Sequence, residues 1–287
     1  MGRAPNQPGD GQRSLERLRA HWEIERELAT RLKAADRDER TVLYGSLYDE
    51  LFRRVPDHPQ VVWRADPSER KATAQRQAAI VRRFLPEHGV FLEIGAGDCA
   101  LSLALAANAR QVYAVEVSRE IAHTDDAPGN FELLITDGRS IPVEPNSVDV
   151  AYSNQLMEHL HPDDALEQVN GILSALRPGG KYICFTPNRL LGPSDISQYF
   201  EDEVASGFHL REYSNRELRD LFRAAGFASV DVIAITRGRS NVLPMALVAA
   251  CEAGFEALPK SARLRLKGTR LVRKALSPGG GVIATKH

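Results

Sequence analysis

Long apolar runs and closely spaced cysteines are both missing from this sequence of 287 residues. No stretch reaches the roughly 18 uncharged apolar residues that a membrane-spanning helix needs. The polar start, MGRAPNQPGDGQR, has no apolar core of a secretory signal. The three cysteines, Cys99, Cys184 and Cys251, lie too far apart for a metal-ligand spacing or a disulfide framework. We therefore expect a cytoplasmic protein in which these cysteines are small core residues.

Acidic residues are absent from the last part of the chain. The formal net charge is −1, so the protein as a whole is not attracted electrostatically to nucleic acid or membranes. Glu256 is the last acid and eight cations follow it, so the residues up to Glu256 carry −9 (−1 minus +8). The eight cations are Lys260, Arg263, Arg265, Lys267, Arg270, Arg273, Lys274 and Lys286. Such an asymmetry can mark a surface that meets anions.

The order of the predicted elements indicates an α/β protein with appended helices. Residues 1–13 are rich in Gly, Pro and Gln and are predicted to be disordered. Apolar residues at helical spacing predict helices in 14–66. Strands alternate with helices through 67–238, which is typical of a doubly wound, mostly parallel sheet. A helical, basic insertion over 239–280 precedes a final strand in 281–287, which brings the predicted sheet to seven strands.

The stretch FLEIGAGDCA, residues 91–100, is an apolar strand that turns through two glycines. In a doubly wound sheet the ligand lies beyond the carboxyl ends of the strands, at this kind of turn. Gly95 and Gly97 let the backbone approach a ligand closely, and the N–H groups of the next helix face the same space. Glu116 ends the following strand, where its carboxylate can accept two ribose hydroxyls. The pattern therefore predicts a site for a nucleotide-type cofactor.

Two classes of cofactor fit this turn. Gly95-x-Gly97-x-x-Ala100 also matches the dinucleotide pattern, so the glycines by themselves leave a nicotinamide-dependent enzyme open. Glu93 lies inside the strand, where dinucleotide folds usually have an apolar residue. Together with Asp98, Glu93 would repel a pyrophosphate, whereas both carboxylates suit a cationic sulfonium.

Polar residues also end the third and fourth predicted strands. Asp137, which Gly138 follows, ends the third strand, where a carboxylate can accept a hydrogen bond from an adenine amino group. Asn154 ends the fourth strand. The cofactor would thus be surrounded by polar groups, mainly carboxylates, from successive strands.

A series of motifs in this order resembles those of class I S-adenosylmethionine-dependent methyltransferases. FLEIGAGDCA is similar to the family's first motif, with Cys99 in place of a third glycine, and VEVS and TDG are similar to its ribose and adenine motifs. VDVAYSNQLMEHL, RPGGKYICFTPN and HLREYSNRELRDLFRAAGF are similar to the later motifs, and the resemblance covers about residues 68–238. It implies a Rossmann-like fold, S-adenosylmethionine as cofactor, and helices in 14–66 that form a lid over the substrate. The cofactor-binding residues that it implies are Glu93, Gly95, Gly97, Glu116, Asp137, Gly138 and Asn154.

Candidate catalytic and substrate-binding residues follow the fourth and fifth strands. Methyl transfer is an in-line displacement at a sulfonium methyl, and a base is needed only for a hydroxyl, an acidic carbon or a protonated amine. His159 and His209 are the candidate catalytic residues, although each could instead support a loop. Tyr199, Arg211 and Tyr213 are candidate substrate contacts, or else packing and surface groups.

No metal site is expected from the sequence. Asp195 and Asp202 could join Glu158 or His159 around an ion, but no spacing of metal ligands supports such a site.

The sequence thus predicts a methyltransferase that acts on a small molecule, with O-methylation favoured over N- or C-methylation. Bacterial specialised metabolism, or sugar or lipid tailoring, is the expected setting. The alternatives are an NAD(P)-dependent reductase and a catalytically inactive adaptor with the same fold. A nucleic-acid acceptor is disfavoured, because SNQL stands where base methylators carry an Asn-Pro-Pro-Tyr signature. For residues 257–280, a helical cover or a homodimer contact is favoured over docking on a membrane or an anionic lipid.

Overall fold

The computed structural model describes four stretches of the chain, residues 13–119, 121–200, 202–236 and 239–287. The segment predicted to be disordered lies outside the described residues, except for its last residue, Arg13. The helices are Leu15–Ala34 (α1), Arg37–Arg54 (α2), Pro59–Arg64 (α3), Pro67–Val81 (α4), Ala100–Ala106 (α5), Pro162–Ala175 (α6), Asn215–Ala225 (α7), Met245–Glu256 (α8), Lys260–Leu266 (α9) and Arg270–Leu276 (α10). The strands are Val90–Ile94 (β1), Gln111–Glu116 (β2), Phe131–Ile135 (β3), Val148–Asn154 (β4), Leu176–Phe185 (β5), Ser229–Thr236 (β6), Arg239–Leu243 (β7) and Gly281–Thr285 (β8).

Local sequence signals explain where several helices begin and end. Asp36 and Glu39 form a capping box at the start of α2, in which each side chain accepts a hydrogen bond from the other residue's backbone N–H. Ser214 and Glu217 do the same for α7, which ends at Gly226 with a φ of 109°. Pro162 occupies the first turn of α6, where its missing N–H costs nothing.

The strands form one sheet in the order β3-β2-β1-β4-β5-β8-β6-β7. The pairs among β3, β2, β1, β4 and β5 are parallel, whereas β8 runs antiparallel to both β5 and β6. The predicted doubly wound, mostly parallel sheet is therefore confirmed.

The strand count of seven is wrong, because the described residues form eight strands. The additional strand is β7, which lies in the segment 239–280 that was predicted to be helical, and it pairs antiparallel with β6. Without β7, the backbone N–H and C=O groups along one side of β6 would form an open sheet edge. This five-residue strand has a single fully buried side chain, Ser240, so it carries little hydrophobic pattern.

The N-terminal helices belong to the same core as the sheet. Leu28 and Leu32 of α1 and Leu47 and Leu51 of α2 are almost fully buried in one cluster with residues of β1, β4 and β5. Burial of four leucines at about 1.5–3 kcal/mol each stabilises this docking substantially. These helices therefore cover one face of the sheet next to the carboxyl ends of its parallel strands.

A buried polar network attaches α8 and α10 to the rest of the protein. Glu252 of α8 is fully buried and accepts hydrogen bonds from N (2.9 Å) and Nδ2 (2.8 Å) of Asn215 and from Nδ2 of Asn188 (3.0 Å). The Leu276 carbonyl of α10 also accepts from Asn215 Nδ2 (2.6 Å). Cys251 on α8 is exposed, so the expectation of a core position is wrong for this cysteine, whereas Cys99 and Cys184 are buried.

The basic helices lie at the surface. α9 contains no buried residue, and Leu264 and Leu271 are among the large apolar side chains exposed on α9 and α10. Across the described stretches, no helix combines the length and apolarity that crossing a membrane requires. Contact of residues 257–280 with an anionic lipid surface stays a prediction.

Candidate functional site

The turn after β1 needs glycine at two positions. Gly95 and Gly97 have φ angles of 68° and 55°, in the left-handed region that favours glycine. A Cβ atom on Gly95 would also lie 3.2 Å from Cδ1 of Leu156. The turn therefore brings the backbone close to the loop after β4, and α5 begins immediately beyond it.

Glu116 at the end of β2 is fixed against this turn. Its Oε2 accepts a hydrogen bond from the N–H of Gly97 (2.7 Å), and its Oε1 accepts from the N–H of Val117 (2.7 Å). These two backbone donors fix the orientation of the carboxylate, a group that accepts several hydrogen bonds. The side chain is buried yet lines the main cavity described below.

Glu93 is a buried carboxyl within β1. Its Oε2 accepts hydrogen bonds from Oγ (2.6 Å) and N–H (3.1 Å) of Ser102 at the start of α5. Burial raises the pKa of Glu93 to about 8, and the negative charges of Asp98 and Glu116 act in the same direction. The group therefore responds strongly to any positive charge that enters the cavity.

Asp98 and Asp137 are held by neighbouring groups. Asp98 accepts from Nε of Arg70 on α4 (2.6 Å) and lines the cavity. Asp137 accepts from the N–H groups of Arg139 (3.0 Å) and Ser140 (2.7 Å). Burial acts against the charged form of Asp137, but these bonds and the Arg139 guanidinium hold its pKa below the usual value. Its adenine contact stays a prediction, since the described cavity lining contains its neighbour Gly138 but not Asp137 itself.

These elements enclose a cavity of about 420 Å³ at the carboxyl ends of β1, β2 and β4. This volume is in the usual range for small-ligand sites. Seven residues predicted from the sequence line it, namely Glu93, Gly95, Gly97, Glu116, Gly138, Asn154 and His159.

The N-terminal helices form another wall of the cavity. Tyr44 and Tyr48 of α2, Trp63 of α3, and Arg70 and Gln77 of α4 line it. The resemblance had indicated a lid in general, but helical spacing cannot show which side chains of a lid face a ligand. The contact between Tyr44 and the loop after β3 requires glycine at position 138. A Cβ atom there would lie 3.0 Å from the ring of Tyr44.

His159 lies in a half-buried position after β4, where it lines the main cavity and a second, smaller one. Its Nδ1 is 3.0 Å from the carbonyl oxygen of Phe208. Because a carbonyl can only accept, Nδ1 carries the proton and Nε2 has the lone pair. Burial lowers the pKa of His159 to about 3, and the neighbouring His209 acts in the same direction. The ring is therefore neutral at physiological pH.

His209 is buried, and its pKa is shifted upward, whereas the pKa of His159 is shifted downward. Its Nδ1 lies 2.8 Å from Oε1 of Glu212. Burial acts against the charged form, but the hydrogen bond to Glu212 and the nearby carboxylate of Glu158 raise the pKa of His209 to about 9. Glu158 is fully buried, and this burial raises its pKa to about 6. The two candidate catalytic histidines thus differ in charge, although their rings are only 4.9 Å apart.

The second cavity has a volume of about 90 Å³ and adjoins the first through His159, Tyr48 and Phe208, which line both. His209 and Tyr199 also line the second cavity, and their contact with a substrate stays a prediction. Other polar groups in its lining are His21, Glu25, His58 and Asp195.

The structure places the two remaining candidates elsewhere. Neither Arg211 nor Tyr213 is among the described residues that line these cavities. Arg211 is exposed and packs over the ring of Tyr213 at 4.9 Å, and Tyr213 is buried. Contact of either residue with a substrate stays a prediction.

Comparison with known proteins gives the family. Residues 68–232 match the family described as "Methyltransferase domain". A Mycolicibacterium smegmatis protein named as a probable S-adenosylmethionine-dependent methyltransferase is 30% identical over 149 residues, which are 51% of this chain and 55% of the relative. A Mycobacterium tuberculosis protein with the same description is 31% identical over 168 residues, 57% of this chain and 58% of the relative. The chain thus spans little more than half the length of these curated relatives.

The fold has counterparts among solved structures. One is a chain from the complex of the Haloferax volcanii Trm112 methyltransferase activator with its proposed methyltransferase. The likeness covers 79% of this chain and 97% of that chain, with a TM-score of 0.50 and 18% sequence identity. At this identity the likeness concerns the fold alone.

The cavity residues fit the cofactor of this family. The acidic groups Glu93, Asp98 and Glu116 favour a cationic sulfonium, and the backbone of the glycine turn lines the same cavity. The match to the methyltransferase domain covers more than half of the chain, and the site lies where the doubly wound fold binds ligands. The chain therefore belongs to the class I S-adenosylmethionine-dependent methyltransferases.

Proposed function

We propose that the protein transfers the methyl group of S-adenosylmethionine to a small-molecule acceptor, and that the favoured acceptor atom is oxygen. The observation that carries this proposal is the position of His159. Its ring lies between the acid-lined cofactor cavity and the smaller cavity, with a neutral imidazole whose Nδ1 is fixed on the carbonyl of Phe208. The lone pair on Nε2 can therefore accept a hydrogen bond from an acceptor hydroxyl. Because the low pKa makes the ring a weak base, it receives the proton late, as the new oxygen–methyl bond makes that proton acidic.

S-adenosylmethionine supplies an activated methyl group on a positively charged sulfur. The residues of this chain position that group and the acceptor. Glu116 is oriented by the backbone of the glycine turn to accept ribose hydroxyls, and Glu93 provides a carboxyl that becomes negatively charged more readily beside a cation. Alignment of this kind can lower a displacement barrier by about 7–11 kcal/mol.

The enclosure of the cavity supports a small acceptor. Aromatic residues of the N-terminal helices, Tyr44, Tyr48 and Trp63, line the cofactor cavity, and the second cavity has a volume of only about 90 Å³. A folded macromolecule could not enter such a space. The expected setting in bacterial specialised metabolism or in sugar or lipid tailoring remains part of this proposal.

Methyl transfer and the role of His159 can be tested together. The purified protein is incubated with methyl-labelled S-adenosylmethionine and fractionated small-molecule extracts, and we expect label in a low-molecular-weight product. His159→Ala should lower turnover by about 100-fold or more, because general-base catalysis typically contributes this much. The affinity for S-adenosylhomocysteine, measured by calorimetry, should change little.

His287→Ala is the matched control, because this histidine is exposed at the end of the chain. It should retain full turnover. An equal loss of turnover and cofactor affinity in the His159 variant would show that the residue only supports the cavity. Absence of label from all small-molecule fractions would overturn the proposed function itself.

A further inference from the structure

Two groups of buried histidines and carboxylates flank the second cavity. The first cluster consists of His21, Glu25 and His58, and the second cluster of Glu158, His159 and His209. Within each cluster, one potential metal-ligand atom per residue lies within 4.8 Å of the others. The two clusters differ in the hydrogen bonds that the Nδ1 atoms of their histidines make.

The first cluster is a closed hydrogen-bond network. Nδ1 of His21 faces Nη2 of Arg13 (2.9 Å), and Nδ1 of His58 faces the N–H of Gln60 (3.1 Å). Both partners can only donate, so both Nδ1 atoms accept and the protons of the neutral rings are on Nε2. These Nε2 atoms lie 2.7 Å and 3.6 Å from Oε1 of Glu25.

The other oxygen of Glu25 is also engaged, because Oε2 accepts a hydrogen bond from the N–H of Phe208 (2.9 Å). Each donor nitrogen of the first cluster thus faces an acceptor, and each acceptor atom faces a donor. A metal ion would have to displace both Nε2 protons while Arg13 and Gln60 still donate to the opposite nitrogens. The first cluster is therefore suited to joining α1 to the core and not to binding a metal.

The histidines of the second cluster have the reverse polarity. Nδ1 of His159 donates to the carbonyl of Phe208, and Nδ1 of His209 donates to the carboxylate of Glu212. None of the hydrogen bonds found among the described residues uses Nε2 of either ring. A hydrogen-bond acceptor at Nδ1 is the arrangement that orients metal-binding histidines, because it directs Nε2 at the ion. His209, whose pKa is raised to about 9, would release its Nε2 proton when the ion binds.

Glu158 supplies a carboxylate with unused hydrogen-bonding capacity. The side chain is fully buried, and its Oε2 accepts from Oγ1 of Thr186 (2.9 Å). Within the described part of the chain, its Oε1 is buried and has no hydrogen-bond partner. A buried oxygen of this kind is costly, and an ion or an ordered water is what satisfies it in native proteins.

We propose that Glu158, His159 and His209 form a binding site for a divalent transition-metal cation such as Zn²⁺. Two imidazole nitrogens and one carboxylate oxygen are a donor set that suits zinc and neighbouring metals and leaves a coordination position for a further ligand. With bonds of about 2.1 Å, three ligand atoms lie roughly 3–4 Å from one another, which requires little contraction of the cluster. The site differs from the sequence prediction, which expected no metal.

The cation would lie beside His159 and therefore at the junction of the two cavities. An acceptor hydroxyl in the remaining coordination position would lose its proton more readily, because a bound cation stabilises the resulting anion. The oxygen–methyl bond then forms, the methyl–sulfur bond breaks with its electron pair on sulfur, and the proton leaves to solvent. This role in catalysis rests on the proposed methyl transfer to oxygen, whereas metal binding itself does not. With the ion bound, the cation replaces His159 as the group that promotes deprotonation, because an Nε2 lone pair that binds a metal cannot also accept a proton.

Metal binding can be measured on the untagged, full-length protein after dialysis against a chelator. Titration with Co²⁺ should produce visible absorption of a nitrogen–oxygen site, and metal analysis should give one ion per chain. His209→Asn should abolish this binding. Glu212→Gln leaves all three ligands in place but weakens the orientation of His209, so we expect about 10- to 100-fold weaker binding.

His58→Asn is the matched control in the first cluster and should bind Co²⁺ like the unmodified protein. If the His209 variant does not fold, as judged by thermal unfolding, the conservative Glu212 variant carries the test. Absence of Co²⁺ binding in the unmodified protein would overturn the proposed site, as would equal losses in the His58 and Glu212 variants. S-adenosylhomocysteine binding is measured in parallel, so that loss of the metal site can be distinguished from failure of the methyltransferase proposal.

Discussion

At the scale of single residues, the carboxyl groups around the glycine turn have different environments. Glu116 lies at a strand end with backbone N–H donors on both oxygens. Glu93 lies inside β1, where burial favours the neutral form. The first is therefore a ready hydrogen-bond acceptor, and the second a group whose charge depends on what occupies the cavity.

Glu116→Ala removes the carboxylate that is expected to accept the ribose hydroxyls. Hydrogen bonds to a charged group contribute about 1.5–3 kcal/mol each, so the affinity for S-adenosylhomocysteine should fall by at least about 10-fold. Calorimetric titration measures the change. Glu132→Ala, at an exposed position on β3, should leave the affinity unchanged, and an unaltered affinity in the Glu116 variant would contradict the assignment.

Glu93→Gln tests the raised pKa through the pH dependence of stability. The folded-state pKa of about 8 exceeds the ordinary value of 4.5, so between these values the folded protein holds a proton that the unfolded chain has released. This stabilising contribution is complete below pH 4.5 and is lost as the pH rises through about 8. The unmodified protein should therefore lose more stability than the variant between about pH 5 and about pH 9.

Urea unfolding of both proteins at these two pH values provides the measurement. The difference should be on the order of a few kcal/mol, because each pKa unit corresponds to about 1.4 kcal/mol. Parallel loss of stability in the two proteins would show that Glu93 ionises normally in the fold.

At the scale of elements, one buried ion pair connects the lid to the sheet domain. Nε and Nη2 of Arg40 on α2 each lie 2.7 Å from an oxygen of Asp164 on α6, and both side chains are buried. The hydroxyl of Tyr44 donates to the same carboxylate (2.8 Å) and accepts from the N–H of His161 (2.8 Å). Because Tyr44 also lines the cofactor cavity, this pair helps to fix the cavity wall.

Asp164→Asn should weaken this connection. Removing one partner of a buried pair leaves the other charge uncompensated and typically costs about 3–5 kcal/mol. Asp163→Asn affects the neighbouring residue on the same turn, whose side chain is 77% exposed, and should change the free energy of unfolding by less than about 0.5 kcal/mol. Chemical denaturation of both variants measures the effect, and equal stabilities would show that this ion pair does not stabilise the lid.

At the scale of the whole molecule, the main cavity lies where the parallel strands end and the N-terminal helices cover the sheet. A ligand that binds only the folded state at about 100 times its Kd should stabilise the protein by about 2.7 kcal/mol. We expect this for S-adenosylhomocysteine and not for NADH, since the cavity presents carboxylates where a pyrophosphate would lie. Thermal unfolding with each ligand checks the expectation, and stabilisation by NADH would favour the reductase alternative.

Much of the cofactor site could be predicted because its signals are local. Gly95, Gly97 and Glu116 are recognisable from a strand, a turn and the following strand, within a single βαβ unit. Arg211 and Tyr213 were predicted by nearness in sequence to His209, yet the structure places them away from both cavities in the described residues. Proximity along a loop does not fix the direction of a side chain.

The sequence by itself determined the fold class, the family and the glycine turn that lines the main cavity, because hydrophobic periodicity and glycine turns act over a few residues. Only the tertiary structure showed that Glu158 and His159 meet His209, some 50 residues later, with Nδ1 of each ring on an acceptor. It alone also added β7 to the sheet and placed the lid side chains around the cavity. These features depend on contacts between elements distant in sequence, and such contacts form only when the elements pack around one core.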